Sequence, residues 1–454
     1  MKTYDVIVIG AGDVGLGIVF KAASQGLSVA VADKGNPGGT CVNYGCVPSK
    51  TLIHTADRIT EIRQAAELGI SAPVAKIDFG TIMQRMRKTV SSGRRSIERA
   101  LEETDGIDFF KGQAHFLDDR TLAVGQHRIR GRKIFIASGS RPSVPDLKGL
   151  ASVDYLTNET VLNLKERPRS LIIIGGGFVG VEYAHFLSAV GTKVTLIIRD
   201  RTLLPFEEPE ISELLKKEMD KRMTLLFGSD AVEVRRSRQG HVVLVKNRKS
   251  GAVQKLRADA VMVSAGRTSN ADLLRIENAG VETNASNYIK VDDNLRTNKK
   301  HIWALGDAIG RAMFTHAGDR EAELVWHNAM KRKKLPMDFQ NVPHAVYTSP
   351  QIASIGLTEK KAREHYEIQV GRAAYSDTVM GEAMLEHSGF AKAVVAKGSG
   401  RILGFHIIGP HAAILIQEVV NAVLNRADVR SITGSMHIFP ALSNLVTETL
   451  GNLQ

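Results

Sequence analysis

Cys41 and Cys46 are the only two cysteines in a chain of 454 residues, and they stand close together in "GGTCVNYGCVPSK". Two thiols so spaced could be a structural staple, a metal clip or a redox-active dithiol. A bridge closing so short a loop would restrain little of the unfolded chain. Two cysteines in so long a chain also do not make a secreted disulfide scaffold. A metal clip needs more than two ligands, and no His or Asp cluster sits beside the pair. A reactive dithiol in a reducing compartment is the reading that survives, and it places the chain in the cytoplasm.

A dithiol needs a source or sink of electrons, and the segments around it supply binding loops for one. "YDVIVIG" reads as a buried strand, "GAGDVG" as a tight turn, "LGIVFKAASQG" as a helix and "LSVAVAD" as a second strand. Gly10, Gly12 and Gly15 fit G-x-G-x-x-G. The first permits the turn, the second lets the backbone approach a pyrophosphate, and the third lets helix and strand pack closely. The N–H groups at the helix start then face the phosphates. Asp33 ends the second strand, where a carboxylate accepts the ribose hydroxyls of an adenosine.

The unit occurs twice. "SLIIIGGGFVGVEYAHFLSAVGTKVTLIIRDR" repeats strand, turn, helix and strand, with Gly175, Gly177 and Gly180. Two dinucleotide loops in one chain point to electron transfer between two cofactors. Aligning Gly26 with Gly191 puts Ile198 at the place of Asp33, followed by Arg199 and Arg201. An acid favours a free 2′-hydroxyl and arginines favour a 2′-phosphate. The first loop therefore suits FAD and the second NADPH, unless the two arginines are plain surface charge.

Length sets the frame around these loops: 454 residues imply two to four domains. Hydrophobic residues make up 43% and charged residues 24%, as in an ordinary globular protein. The net charge of +12 is spread along the chain. Its densest run, Lys331 to Lys334, reads as a solvated turn, so nucleic acid is not an expected partner. No stretch is long and apolar enough to span a membrane, and the N-terminal segment has too many glycines for a signal peptide.

Taken together, these residues resemble the pyridine nucleotide–disulfide oxidoreductases, the flavoprotein group of glutathione reductase, dihydrolipoamide dehydrogenase and mercuric reductase. "ASGSRP" at 137–142, "IWALGDA" at 302–308 and "VYTSPQIASIG" at 346–356 are similar to further motifs of that family. The resemblance implies an α/β fold, with two doubly wound dinucleotide-binding domains and a C-terminal α+β dimerisation domain. FAD would be bound by 1–145 and 266–335, NADPH by 146–265, and 336–454 would form a homodimer whose C-terminal segment completes the partner's active site. Gly39, Thr40, Ser138, Gly139 and Asp307 would join the FAD site, and Gly266 the NADPH site. Cys46 would face the flavin as thiolate and Cys41 would meet the substrate. Lys50 would approach the flavin and pair with Glu182. Electrons would pass from NADPH through FAD to Cys41–Cys46.

The terminal acceptor is implied by a departure. Family members that reduce disulfides carry a His–Pro segment whose His protonates the leaving thiol and whose Glu orients that His. Here the segment is "MHIFPALSNLVTE", with Phe439 at the place of the His and Asn444 at the place of the Glu. A soft metal ion held by two thiolates needs no such acid. The chain is most similar in this to mercuric reductases, which would make Hg(II)–thiol complexes its substrate and Cys41 and Cys46 the Hg(II) ligands. Tyr155 resembles a tyrosine of the mercuric substrate path, with core packing as the alternative. The chain lacks the delivery cysteines of that group and has Ala441 where a tyrosine is usual. His437 is the available extra metal ligand or proton donor, or else structural. Reduction of a disulfide, persulfide or quinone, and a non-catalytic flavin-bearing interaction protein, are the other readings.

Overall fold

The computed structural model describes residues 1–74 and 76–454. Its first sheet runs, edge to edge, through Ile107–Lys111, Val29–Asp33, Lys2–Ile9 and His127–Ile136, all parallel, and ends in the antiparallel strands Thr121–Val124 and Ala114–Phe116. Val6, Ile7, Val8 and Val29 to Val31 are fully buried. Such unbroken apolar runs belong to strands covered on both faces. Ile302–Ala304 joins the same sheet beside His127–Ile136, so the chain leaves this unit and returns to it.

The second unit has four parallel strands in the order Thr224–Leu226, Lys193–Ile197, Ser170–Ile174, Ala260–Val263, with a three-stranded antiparallel sheet beside them. In both units the third motif glycine is forced by packing. A Cβ on Gly15 would lie 2.0 Å from the Gly10 carbonyl oxygen, and one on Gly180 would lie 2.2 Å from that of Gly175. Gly10 and Gly175 themselves have φ of 112° and 122°, which side chains with a Cβ rarely adopt.

The third unit is a five-stranded antiparallel sheet, His344–Val346, Gln351–Gly356, Ile402–Gly409, Phe390–Ala396 and Ile368–Ala374, packed against the helices Ala412–Leu424 and Asn444–Gly451. It is keyed to the second unit by buried charge. Lys392 is 3% exposed, and its ammonium lies 3.0 Å from Glu208, 3.0 Å from Glu210 and 2.7 Å from Glu359. Glu207 beside it accepts from His344 and from Ser354, each at 2.6 Å. Every buried oxygen here has a partner across the seam, which is the condition for a buried carboxylate to stay charged. Among the described residues, no helix is long and apolar enough to cross a membrane.

Candidate active site

The two glycine turns can be aligned by their hydrogen bonds. Gly10 N–H donates to Ala32 O at 2.8 Å, and Gly175 N–H donates to Ile197 O at 3.0 Å. Asp33 and Ile198 are therefore equivalent positions. Both Asp33 oxygens accept backbone N–H groups, from Ala11 and from Gly35, each at 2.7 Å. The anchored carboxylate keeps lone pairs for ribose hydroxyls. Ile198 offers no acceptor and packs over Gly176 instead, where a Cβ would meet it at 3.0 Å.

One continuous cleft of about 1690 Å³ runs between the two turns, larger than the roughly 300–1,000 Å³ of a site for one small molecule. Gly10, Gly12, Asp33, Gly39, Thr40, Ser138, Gly139 and Asp307 line it on one side, and Gly175, Gly177, Arg199 and Gly266 on the other, with Cys41, Cys46, Lys50 and Glu182 between. Gly15 and Gly180 are buried behind it. The Ser138 hydroxyl is buried without a partner, a donor left for a ligand. Asp307 is positioned by Ser140 Oγ at 2.5 Å and Arg267 Nε at 3.3 Å. These features fit FAD on the first side, and the open turn without an acid fits NADPH on the second.

Cys46 is the first residue of the helix Cys46–Gln64. Its Sγ lies 3.4 Å from the hydroxyl of Thr315, which begins the helix Thr315–Met330. Two helix starts thus converge on one sulfur, and each favours a thiolate. A hydrogen bond from Cys41 does most to bring the Cys46 thiol down to about 6, helped by Thr315 and by the charge of Lys50 and opposed by burial. Cys41, which is half-buried and holds the shared proton, is pushed up, first by its hydrogen bond to Cys46 and then by partial burial.

Lys50 Nζ lies 3.0 and 2.8 Å from the two oxygens of Glu182. Glu182 is 7% exposed and also accepts the Tyr347 backbone N–H at 3.0 Å. The Lys50 ammonium stands 4.6 Å from the centre of the Tyr347 ring. Sequence reading missed Tyr347 and Thr315; a Thr opening a helix eight residues after Asp307 was the available signal for the second. It also missed Glu321, fully buried, whose carboxylate accepts Gly306 N–H at 2.5 Å and is pushed up to about 7 by burial.

Three expected residues are not brought to the cleft. Tyr155 packs against Leu147, Val153 and the other core residues of the second unit, so the packing alternative describes it. Arg201 is exposed and outside the cleft wall. His437 lies outside it too, with Nε2 3.1 Å from Glu418 and Nδ1 3.1 Å from the Ser435 carbonyl.

A fold of two dinucleotide units with a dithiol between them defines a flavin-linked dithiol oxidoreductase. The chain belongs to the pyridine nucleotide-disulphide oxidoreductases: the family profile matches residues 4–331 and its dimerisation domain residues 342–450. FAD and NADPH are its cofactors, and the dimerisation domain supports a homodimer. The chain is similar to mercuric reductase of Staphylococcus aureus, 31% identical over 95% of this chain and 79% of that one. It is similar to mycothione reductase of Mycobacterium tuberculosis, 34% identical over the full length of both. Among solved structures, the Cu(II) complex of the HOCl-induced flavoprotein disulfide reductase RclA from Escherichia coli is 27% identical, with a TM-score of 0.89 over 99% of each chain.

Arg199 lines the nucleotide side, with its Nε 3.1 Å from Asp230. The remaining guanidinium nitrogens can donate to a 2′-phosphate. Arg199→Ala should raise the KM for NADPH about tenfold, in line with one lost charge-assisted hydrogen bond, and leave that for NADH within twofold. Arg201→Ala should change neither. Steady-state kinetics with both nucleotides checks this.

Proposed function

We propose that this protein is an NADPH-dependent reductase of Hg(II), with Cys41 and Cys46 as the two thiolates that hold the ion. When bound, FAD would relay an electron pair between the nicotinamide and the dithiol. One hydride from NADPH carries the two electrons that convert Hg(II) to Hg(0). Lys50, fixed by Glu182, would set positive charge beside the flavin and the Cys46 thiolate. Hg(II) is soft and takes two thiolates in a line. Among the described residues no group of three His, Cys, Asp or Glu could hold a metal ion, so a cation at this site would rest on the two sulfurs.

The observation that carries the reading is the C-terminal segment. Phe439 stands before Pro440 with 74% of its surface exposed, and it has no proton to give. Asn444 is engaged with its own loop, accepting from Ala441 N–H at 2.9 Å and donating to Ile438 O at 3.3 Å. Release of Hg(0) requires no protonated leaving thiol, whereas disulfide cleavage does. The similarity to mercuric reductases supports the same reading.

The full-length similarity to mycothione reductase favours a second reading, reduction of a disulfide with water as acid. NADPH oxidation measured with HgCl2 and excess thiol, beside lipoamide and glutathione disulfide, separates the two. Hg(II)-dependent turnover with poor disulfide turnover is expected. Brisk disulfide reduction without any response to Hg(II) would overturn the first reading in favour of the second.

A further inference from the structure

A second cavity lies at the other end of the strand whose C-terminal end leads to Gly306 and Asp307. It opens beside Lys300 and His301, which precede Ile302–Ala304, and encloses about 270 Å³. Arg132, Lys133, Arg296, Lys300 and Lys334 line it, and no lining residue is a carboxylate. Two of these cations have acidic partners, Arg132 with Asp5 at 3.0 Å and Arg296 with Asp292 at 3.7 Å. Among the described residues, no carboxylate oxygen lies within 4.0 Å of Lys133, Lys300 or Lys334.

Like charges gathered in one concavity repel each other and focus a positive potential into it. A helix C-terminus borders the cavity through Asn328 and Ala329, and its free carbonyls alone would disfavour an anion. Lys334 removes that objection: its ammonium donates to the carbonyls of Asn328 and, at 2.5 Å, Lys331. Lys331, Arg332 and Lys333 immediately precede it and are exposed, so the run extends the positive field outward.

Size and shape narrow the ligand. At ~30 Å³ per water the cavity holds roughly nine waters, enough for a few linked phosphates and too little for a folded partner. A single monoanion would leave most of the unpaired lysines uncompensated. Two rings stand in the wall, and neither is an open stacking platform: Trp303 is 6% exposed and stacked on Phe135 with centroids 5.3 Å apart, and the His301 side chain is 16% exposed with Nε2 held 2.8 Å from the Asp119 carbonyl. Recognition would come from phosphate oxygens meeting ammonium and guanidinium donors.

We propose that this cavity is a binding site for a short oligophosphate chain, free or carried on a nucleoside. The test is calorimetric titration of the FAD-loaded protein with inorganic tripolyphosphate, with NADP⁺ present at saturation to fill the nucleotide cleft. One site per chain should remain, weaker at higher salt. Lys133→Gln with Lys300→Gln should weaken it by at least tenfold, and Lys300→Gln alone, at an exposed position, by an intermediate factor. ATP binding as tightly as tripolyphosphate would show that the chain alone is read; tighter binding of ATP would assign the nucleoside-borne form. Binding that disappears with NADP⁺, that is unchanged in Lys300→Gln, or that orthophosphate reproduces at equal affinity would overturn the proposal.

Discussion

Cys46→Ser should eliminate the long-wavelength absorbance that a thiolate beside oxidised flavin gives after reduction by one equivalent of NADPH, and Hg(II)-dependent NADPH oxidation with it. Cys41→Ser should lose the same turnover yet keep the absorbance, because its serine can still donate to the Cys46 sulfur. The pH dependence follows from the site. A thiol lowered to about 6 is ionised above that value and protonated below it, so the wild-type absorbance should fade as pH drops through about 6. Cys41→Ala deletes the donor that does most to stabilise the thiolate, so its transition should move to higher pH. Absorbance surviving in Cys46→Ser would exchange the roles of the two cysteines. A transition that does not move in Cys41→Ala would show that Thr315, Lys50 and the helix starts hold the thiolate without it.

Installing an acid should open disulfide chemistry. Positioned general acids contribute about 10²–10⁴-fold, and Phe439→His with Asn444→Glu should raise turnover of lipoamide or glutathione disulfide within that range. The change is compatible with the fold. Phe439 is mostly exposed, so a His there leaves no cavity. A Glu at 444 can still accept the Ala441 N–H and gives up only the donation to Ile438 O. Hg(II) turnover should not rise, since its product needs no proton from this group. Initial rates with each acceptor at fixed NADPH decide the matter. A double variant as slow on disulfides as the parent, while still reducing Hg(II), would mean that pocket shape rather than the missing acid excludes disulfides.

How far the sequence could be read depended on whether a residue's partner was local. The equivalence of Asp33 and Ile198 was visible because Gly26 and Gly191 fix the second strand of each unit, and the backbone bonds of Gly10 and Gly175 place it identically. Cys46 at a helix start followed from "VPSKTLIHTADRI". Lys50 and Glu182 stand 132 residues apart, and only likeness to a family suggested their pairing. Thr315 and Tyr347 meet Cys46 and Lys50 through packing of distant segments, which no periodicity reports. Tyr155 was assigned from its likeness to a tyrosine of the mercuric substrate path and Arg201 from its distance to a motif; the first packs against the core of the second unit and the second lies outside the cleft wall. The seam of Glu207, Glu208, His344 and Lys392 was invisible because each looks like an ordinary surface charge until the second and third units are folded against one another.

That seam bears on how such proteins can recombine. A crossover between 210 and 344 that joined the N-terminal part of this chain to a relative's C-terminal module would keep Glu207 and Glu208 while discarding Lys392, His344 and Ser354. A buried carboxylate stripped of its cation costs about 3–5 kcal/mol, a large part of the stability of an ordinary domain. A viable hybrid must therefore inherit both sides of the seam from one parent, take its C-terminal module from a relative with equivalent partners for Glu207 and Glu208, or acquire neutral residues on both sides together. Without such a match the second and third modules of this chain form a single heritable block, although the sheet order makes them look exchangeable.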